Sequence, residues 1–247
     1  MDAQRPSMHM CFTGNPGSAK TTVARLLADI LSKENLLDTG HFVECGRADL
    51  VGRYVGWTAV QVKEKFRAAR GGILFIDEAY ALVDDRSGSY GDEAINTIVQ
   101  EMENRRADVI VIFAGYPKKM EAFLATNEGL RSRIAFHVDF PDYTPAELAE
   151  ILRLIARKKG CTLTEEIVAH CRKRFEAVCR QPDFGNGRFV RNVFEQALMR
   201  QAQRLCTLRE GQTLAKEDLW QLTIEDFDVA ALQAVPSSPS PVGFSVS

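Results

Sequence analysis

No two of the six cysteines (Cys11, Cys45, Cys161, Cys171, Cys179, Cys206) form a C-x-x-C pair, and no apolar stretch reaches 18 residues. The first absence removes the paired-thiol spacings of zinc and dithiol redox sites; the second removes a membrane-spanning helix. A hydrophobic leader segment is lacking too, so the chain is expected in the cytoplasm with reduced thiols and no membrane partner. Charge of one sign is also missing. With 31 Lys+Arg against 33 Asp+Glu the net charge is −2, which offers no global field for nucleic acid or an anionic surface. The densest basic stretches, Arg153 to Lys159 and Arg172 to Arg174, interleave with Leu154, Ile155 and Phe175 at helical spacing and read as solvated helix faces. His170, Cys171 and Cys179 lie among Val168, Phe175 and Val178, where small apolar core packing explains the thiols better than a metal. No internal repeat is present.

What remains is a chain of 247 residues, 45% hydrophobic, with material for a sizeable core. Short apolar runs at Met8–Phe12, His41–Cys45, Ile73–Ile76, Val109–Ala114 and Ile134–Phe140 are predicted strands. Helices are predicted between them, with apolar faces of Val23, Leu26, Leu27, Ile30 and Leu31, then Val62, Phe66 and Ala69, then Ile95, Ile98, Val99 and Met102. Repeated β-α units with continuous apolar strands imply an α/β fold, an αβα sandwich around a five-stranded parallel sheet covered on both faces, with ligands bound beyond the strand C-termini. After Asp142 the strand pattern stops. Thr144-Pro145-Ala146-Glu147 has the form of a capping box with proline at the first helical position, and an all-helical segment follows. Its stripes are Leu148, Ile151, Leu152 and Ile155; Ile167, Cys171, Phe175 and Val178; and Val190, Phe194, Ala197 and Leu198. The predicted organisation is a core at 1–143, a small helical domain at 144–232 and a Pro/Ser-rich disordered tail at 233–247.

Between the first strand and the first helix lies Gly14-Asn15-Pro16-Gly17-Ser18-Ala19-Lys20-Thr21, followed by Thr22. That is the place and form of a phosphate-binding loop. Backbone N–H groups and a helix N-terminus point at the phosphates, Lys20 adds charge, and the Thr21 hydroxyl reaches Mg²⁺. Ala19 departs from the pattern, since its Cβ stands where glycine would relieve both a positive φ and close phosphate approach. Ile73-Leu74-Phe75-Ile76-Asp77-Glu78 is an apolar strand ending in two carboxylates. In a Walker B arrangement Asp77 holds Mg²⁺ and Glu78 orients and deprotonates the attacking water. Together the motifs imply ATP with Mg²⁺.

Three further segments complete a family likeness: Arg131-Ser132-Arg133 before the last strand, Gly187-Arg188 opening a helix, and Arg53-Tyr54-Val55-Gly56 after the second strand. With the two motifs they resemble an AAA+ ATPase. The phrases Arg47-Ala-Asp-Leu-Val-Gly, Phe75-Ile-Asp-Glu-Ala-Tyr, Ala114-Gly-Tyr-Pro and Gly129-Leu-Arg-Ser-Arg are similar, more narrowly, to the group holding stage V sporulation protein K and the red-type Rubisco activase. The likeness runs from His9 to about Arg204 and carries implications of its own. Arg133, with Arg131 beside it, matches an arginine finger reaching a neighbouring subunit's γ-phosphate. Arg188 matches the arginine that couples a helical lid to the nucleotide, with Arg191 one turn on. Tyr54 and Val55 match the pore-loop pair that grips a polypeptide, and Ser87 to Gly91 stands where a second pore loop would be. The group's position for a water-orienting residue after the fourth strand falls here on Gly115 or Tyr116.

The resemblance thus implies a self-assembling ring, a hexamer, that hydrolyses ATP to remodel a protein substrate at its central pore. An alternative from another class is a truncated or regulatory nucleotide-binding interaction module with weak or no hydrolysis. The first strand begins within ten residues of Met1, so the element that would cover the adenine from that side is expected to be absent, which favours the module. Asp77, Glu78 and Arg133 together favour the enzyme.

Overall fold

The computed structural model describes residues 7–52, 54, 56–83, 90–181, 184–208 and 221–227. Val55, Ser87 to Ser89 of the second expected pore loop, and the 233–247 tail lie outside the described residues.

Five strands, β1 (Met10–Gly14), β2 (Phe42–Cys45), β3 (Ile73–Ile76), β4 (Ile110–Gly115) and β5 (Phe136–Phe140), form one sheet in the order β2-β3-β4-β1-β5. All neighbours pair in parallel, as the continuous apolar runs predict. The period of two along each strand sorts the core into two layers. Cys11, Leu74, Ile76, Val111 and Phe113 face one side, under α3 (Trp57–Ala68), α4 (Tyr90–Asn104) and α5 (Pro117–Ala125). Met10, Phe12, Ile73, Phe75 and Ile112 face the other, where Ala24, Ala28 and Leu31 of α1 (Lys20–Lys33) cover them. Two short helices, α2 (Arg47–Leu50) and α6 (Glu128–Arg133), sit in the connections.

The α1 side differs from expectation. Of the expected face Val23, Leu26, Leu27, Ile30 and Leu31, Leu31 is buried and Leu27 packs against the same core, whereas Val23, Leu26 and Ile30 are exposed, Leu26 by 56%, and Ala24 and Ala28 are turned inward instead. Small side chains let the helix axis lie close over β1 and β3, and a leucine-lined face would hold it farther away. Nor is the sheet covered throughout: edge strand β5 leaves Phe136 and Val138 exposed, because the layer built on α1 centres on β1 and β3.

His9 pins the start of β1 from the inside. The Val111 amide donates to its Nδ1 at 3.0 Å, and its Nε2 faces the Met102 carbonyl at 3.4 Å. Burial holds the imidazole down to about pKa 4, so it stays neutral and keeps both bonds.

The remaining helices, α7 (Pro145–Lys158), α8 (Glu165–Val178), α9 (Asn186–Leu208) and α10 (Ile224–Phe227), enclose a separate core of Leu148, Leu152, Phe175, Val190, Phe194 and Phe227. Cys171 is buried within it. Helix α7 opens with the predicted box: Glu147 N–H donates to Thr144 Oγ1 at 3.3 Å and Thr144 N–H to Glu147 Oε2 at 2.8 Å. Arg204 fixes α10 through two bonds to the Asp226 carboxylate, at 3.1 and 2.8 Å.

Candidate active site

Register carries β1, β3 and β4 to a common sheet edge: Thr13 lies opposite Gly115, and Ile76 opposite Phe113. Everything that follows these three strands therefore meets at one place. The loop after β1 runs through Gly17 at φ 72° and Ala19 at φ 67° before α1 begins at Lys20. Ala19 is thus a left-handed alanine, the conformation that the motif reserves for glycine, at a cost of roughly 1–2 kcal/mol. No side chain caps α1, which leaves its first-turn N–H groups for a ligand. Lys20 Nζ donates to the carbonyls of Gly14 and Asn15, each at 2.9 Å. Burial lowers its pKa, while Asp77 across the cleft pulls the other way.

Asp77 and Glu78 leave β3 at the same edge. The Glu78 N–H donates to Asp77 Oδ1 at 3.0 Å, and Glu78 itself is left-handed at φ 48°. Such strain in a non-glycine residue at a cleft edge is a mark of functional positions.

One cavity of about 510 Å³ gathers these groups: Gly14, Pro16, Gly17, Ser18, Ala19, Lys20, Thr21 and Thr22 line it with Asp77, Glu78, Gly115 and Tyr116. The helical domain closes the other side with Arg188 and Arg191. Asn15 belongs to the loop but turns its amide to the Asp142 carboxylate, at 3.0 and 2.9 Å. Thr21 and Asp77 both line it with hard oxygens, a donor set suited to Mg²⁺, which takes one or two protein oxygens and completes its shell with water and phosphate.

Some lining residues escaped the sequence. Ile151, Leu154 and Ile155 form an apolar wall suited to a base ring, and Ile151 and Ile155 also pack against the core of the helical domain, as their stripe predicts. The signal was a stripe on α7 wider than one packing face needs. Asn186 was missed as well. Fully buried and left-handed at φ 46°, it donates to Asp142 Oδ1 at 2.6 Å and to the Pro16 carbonyl at 3.4 Å, and its Oδ1 accepts from Tyr143 N–H at 2.8 Å. Next to it the Gly187 N–H donates to the Gly17 carbonyl at 3.1 Å, and a Cβ on Gly17 would come within 2.4 Å of the Gly185 carbonyl. The helical domain rests directly on the phosphate loop.

Arg131, Arg133 and Tyr54 stand elsewhere. Arg131 is exposed, and Arg133 donates to Glu103 Oε2 at 3.1 Å and to the Gly129 carbonyl at 3.0 Å; neither lines the cavity. Tyr54 is 63% exposed, edge-on to the equally outward Trp57 at 5.2 Å between ring centres.

Residues 10–142 match the ATPase family associated with various cellular activities (AAA), and residues 144–237 match the AAA lid domain. The chain belongs to the AAA family of ATPases. Among its relatives is a chloroplastic ribulose bisphosphate carboxylase/oxygenase activase from Cyanidioschyzon merolae, 44% identical over 92% of this chain and 77% of that protein. Protein CbbX from Cereibacter sphaeroides is 44% identical over 87% of this chain and 72% of its own length. A CfxQ homolog from Cyanidium caldarium is also 44% identical, over 92% and 79%. The FIGL-1 AAA domain in complex with ADP shares the fold with a TM-score of 0.65 at 18% identity, covering 90% of this chain and 70% of that one. Among the described residues no helix is long and apolar enough to cross a membrane.

Proposed function

We propose that this AAA protein hydrolyses ATP within a homo-oligomeric ring, a hexamer, and uses the work to remodel a protein substrate at the central pore. The observation that carries the reading is the single cavity in which phosphate loop, paired carboxylates and lid arginines meet. Residues 1–143 act as the ATPase core, 144–232 as the lid and 233–247 as a tail.

In this reading the first-turn amides of α1 and Lys20 hold the β- and γ-phosphates, Arg188 and Arg191 reach them from the lid, and Ile151, Leu154 and Ile155 receive the base. Thr21 and Asp77 would hold Mg²⁺, which neutralises phosphate charge. Glu78 takes a proton from water as the water oxygen bonds to the γ-phosphorus and the bond to the β–γ bridging oxygen breaks, releasing ADP and inorganic phosphate. Arg133, aided by Arg131, stands outside its own chain's cavity, as a residue serving a neighbour's site would. Tyr54 and Val55 grip the substrate. The relative named as a Rubisco activase makes Rubisco the first protein target to try.

Glu78→Gln is expected to keep ATP affinity and lose turnover by roughly a hundredfold or more. Arg133→Ala is expected to bind ATP normally yet turn over slowly, and the wild-type specific rate should rise with protein concentration. Steady-state phosphate release and a nucleotide titration measure all three. A fast Glu78→Gln sinks the base assignment, and a concentration-independent rate sinks the ring.

A further inference from the structure

Helix α2 stands between the paired carboxylates and the loop that carries Tyr54. The Asp77 N–H donates to the Cys45 carbonyl at 2.9 Å, which ties the chain entering α2 to the strand end that bears the carboxylates. At the first residue of the helix the half-buried Arg47 donates from its guanidinium to the Ala81 carbonyl. Ala81 belongs to the 3-10 turn Ala79–Val83 that follows Glu78 directly, and its own N–H donates to the Glu78 carbonyl at 2.8 Å. Asp77 and Glu78 are therefore bracketed by two bonds from one short segment, Cys45 before them and Arg47 after them. The turn is backed by α4: a Cβ on Gly91 would come within 2.0 Å of the Leu82 carbonyl oxygen.

The far end of that segment is fixed as well. Leu50 is fully buried, and Asp49 accepts from the Gly46 N–H through Oδ2 and from Lys65 of α3 through Oδ1, both at 3.0 Å. Beyond it the Gly52 N–H donates to the hydroxyl of the buried Thr58 at 3.1 Å, and the Trp57 N–H donates to the Tyr54 carbonyl at 3.2 Å. The Tyr54 loop is thus bonded to α3 and, through Asp49 and Lys65, to α2, so that a load on Tyr54 reaches α2 through a continuous bonded path.

We propose that Arg47 is a positioning residue through which a polypeptide held at Tyr54 changes the setting of Glu78. The inference rests on the readings of Tyr54 as the gripping residue and of Glu78 as the base. Arg47 lines no part of the nucleotide cavity. The Cys45–Asp77 bond continues the β2–β3 ladder and holds the carboxylates without it, so the basal rate does not depend on Arg47. Its guanidinium joins the turn after Glu78 to the segment that leads into the loop.

Arg47→Met keeps an unbranched stem and deletes every donor, whereas Arg47→Lys keeps an ammonium donor for the Ala81 carbonyl. Phosphate release is measured with and without a reduced, carboxymethylated protein that cannot fold, and binding of that protein is followed by fluorescence anisotropy. The wild type is expected to be stimulated roughly fivefold or more, the usual size of coupling between linked sites, and Arg47→Met less than about twofold. Basal kcat, KM for ATP and polypeptide affinity in Arg47→Met stay within about twofold of wild type, and Arg47→Lys regains most of the stimulation. Retained polypeptide binding sets Arg47 apart from Tyr54, whose truncation loses it. Full stimulation in Arg47→Met overturns the proposal. So does a parallel fall of basal and stimulated rates in both variants with a lowered melting temperature, which is what a merely structural arginine produces. An unstimulated wild type removes the gripping reading and the proposal together, and a normal turnover in Glu78→Gln removes the base reading and the proposal together. The failures are distinguished within one set of assays.

Discussion

At Ala19 a methyl group stands on backbone that glycine would occupy without strain, beside the path the phosphates must take. Two terms of opposite sign decide what its removal does. Ala19→Gly relieves roughly 1–2 kcal/mol of left-handed strain, and the freer unfolded chain costs back roughly 0.5–1 kcal/mol. Stability is therefore expected within about 1 kcal/mol of wild type, with ATP affinity equal or a few-fold tighter because the Cβ no longer faces the ligand. A melting curve and a nucleotide titration check both, and abolished binding would refute the view of Ala19 as a tolerated departure. At this scale the sequence was most informative: motif spacing picked out Gly14 to Thr22, Asp77 and Glu78, the family resemblance picked out Arg188 and Arg191, and all of these but Asn15 line one cavity.

Among the elements, strands were legible because apolar runs bounded by turns admit few readings, and α7 because Thr144, Pro145 and Glu147 specify its start locally. Helix α1 was misread in part for a physical reason: hydrophobicity ranks leucine above alanine, whereas close packing on a sheet favours the smaller side chain, so Ala24 and Ala28 join Leu31 on the buried side while Val23, Leu26 and Ile30 are exposed. The joint between lid and phosphate loop could not be read at all. Asn186 meets Pro16 across 170 residues of chain, and nothing local marks that contact apart from an Asn-Gly pair suited to a left-handed turn. Asn186→Gly keeps the permitted φ and deletes the bonds to Asp142, Pro16 and Tyr143. The expected results are a melting temperature lower by several degrees, from roughly 1–3 kcal/mol of lost or unsatisfied bonding, and weaker stabilisation by ATP, since the lid no longer tracks the loop. A wild-type ATP-induced shift in the melting curve would mean that Gly187 and Gly17 hold the joint without the asparagine.

For the molecule as a whole, the question is whether one chain suffices. The cavity collects the phosphate loop, the paired carboxylates and the lid arginines, while Arg131, Arg133 and Tyr54 lie outside it, Arg131 and Tyr54 exposed and Arg133 bonded to Glu103 and the Gly129 carbonyl. Tyr54 separates the two classes of function most cleanly. Lying outside the cavity and 63% exposed, with Trp57 edge-on beside it, it offers a large aromatic contact that can hold extended backbone of any sequence. Tyr54→Ala is therefore expected to keep the basal ATPase rate within about twofold and to lose the stimulation that an unfolded polypeptide produces in the wild type. The measurement is phosphate release with and without a permanently unfolded protein, at matched concentrations of the two chains, with Rubisco as a second substrate. A regulatory nucleotide-binding module predicts no stimulation in either chain by either substrate. Stimulation retained in Tyr54→Ala rejects the gripping role while leaving the ATPase reading intact, because Tyr54 lies outside the cavity lined by the phosphate loop, Asp77 and Glu78.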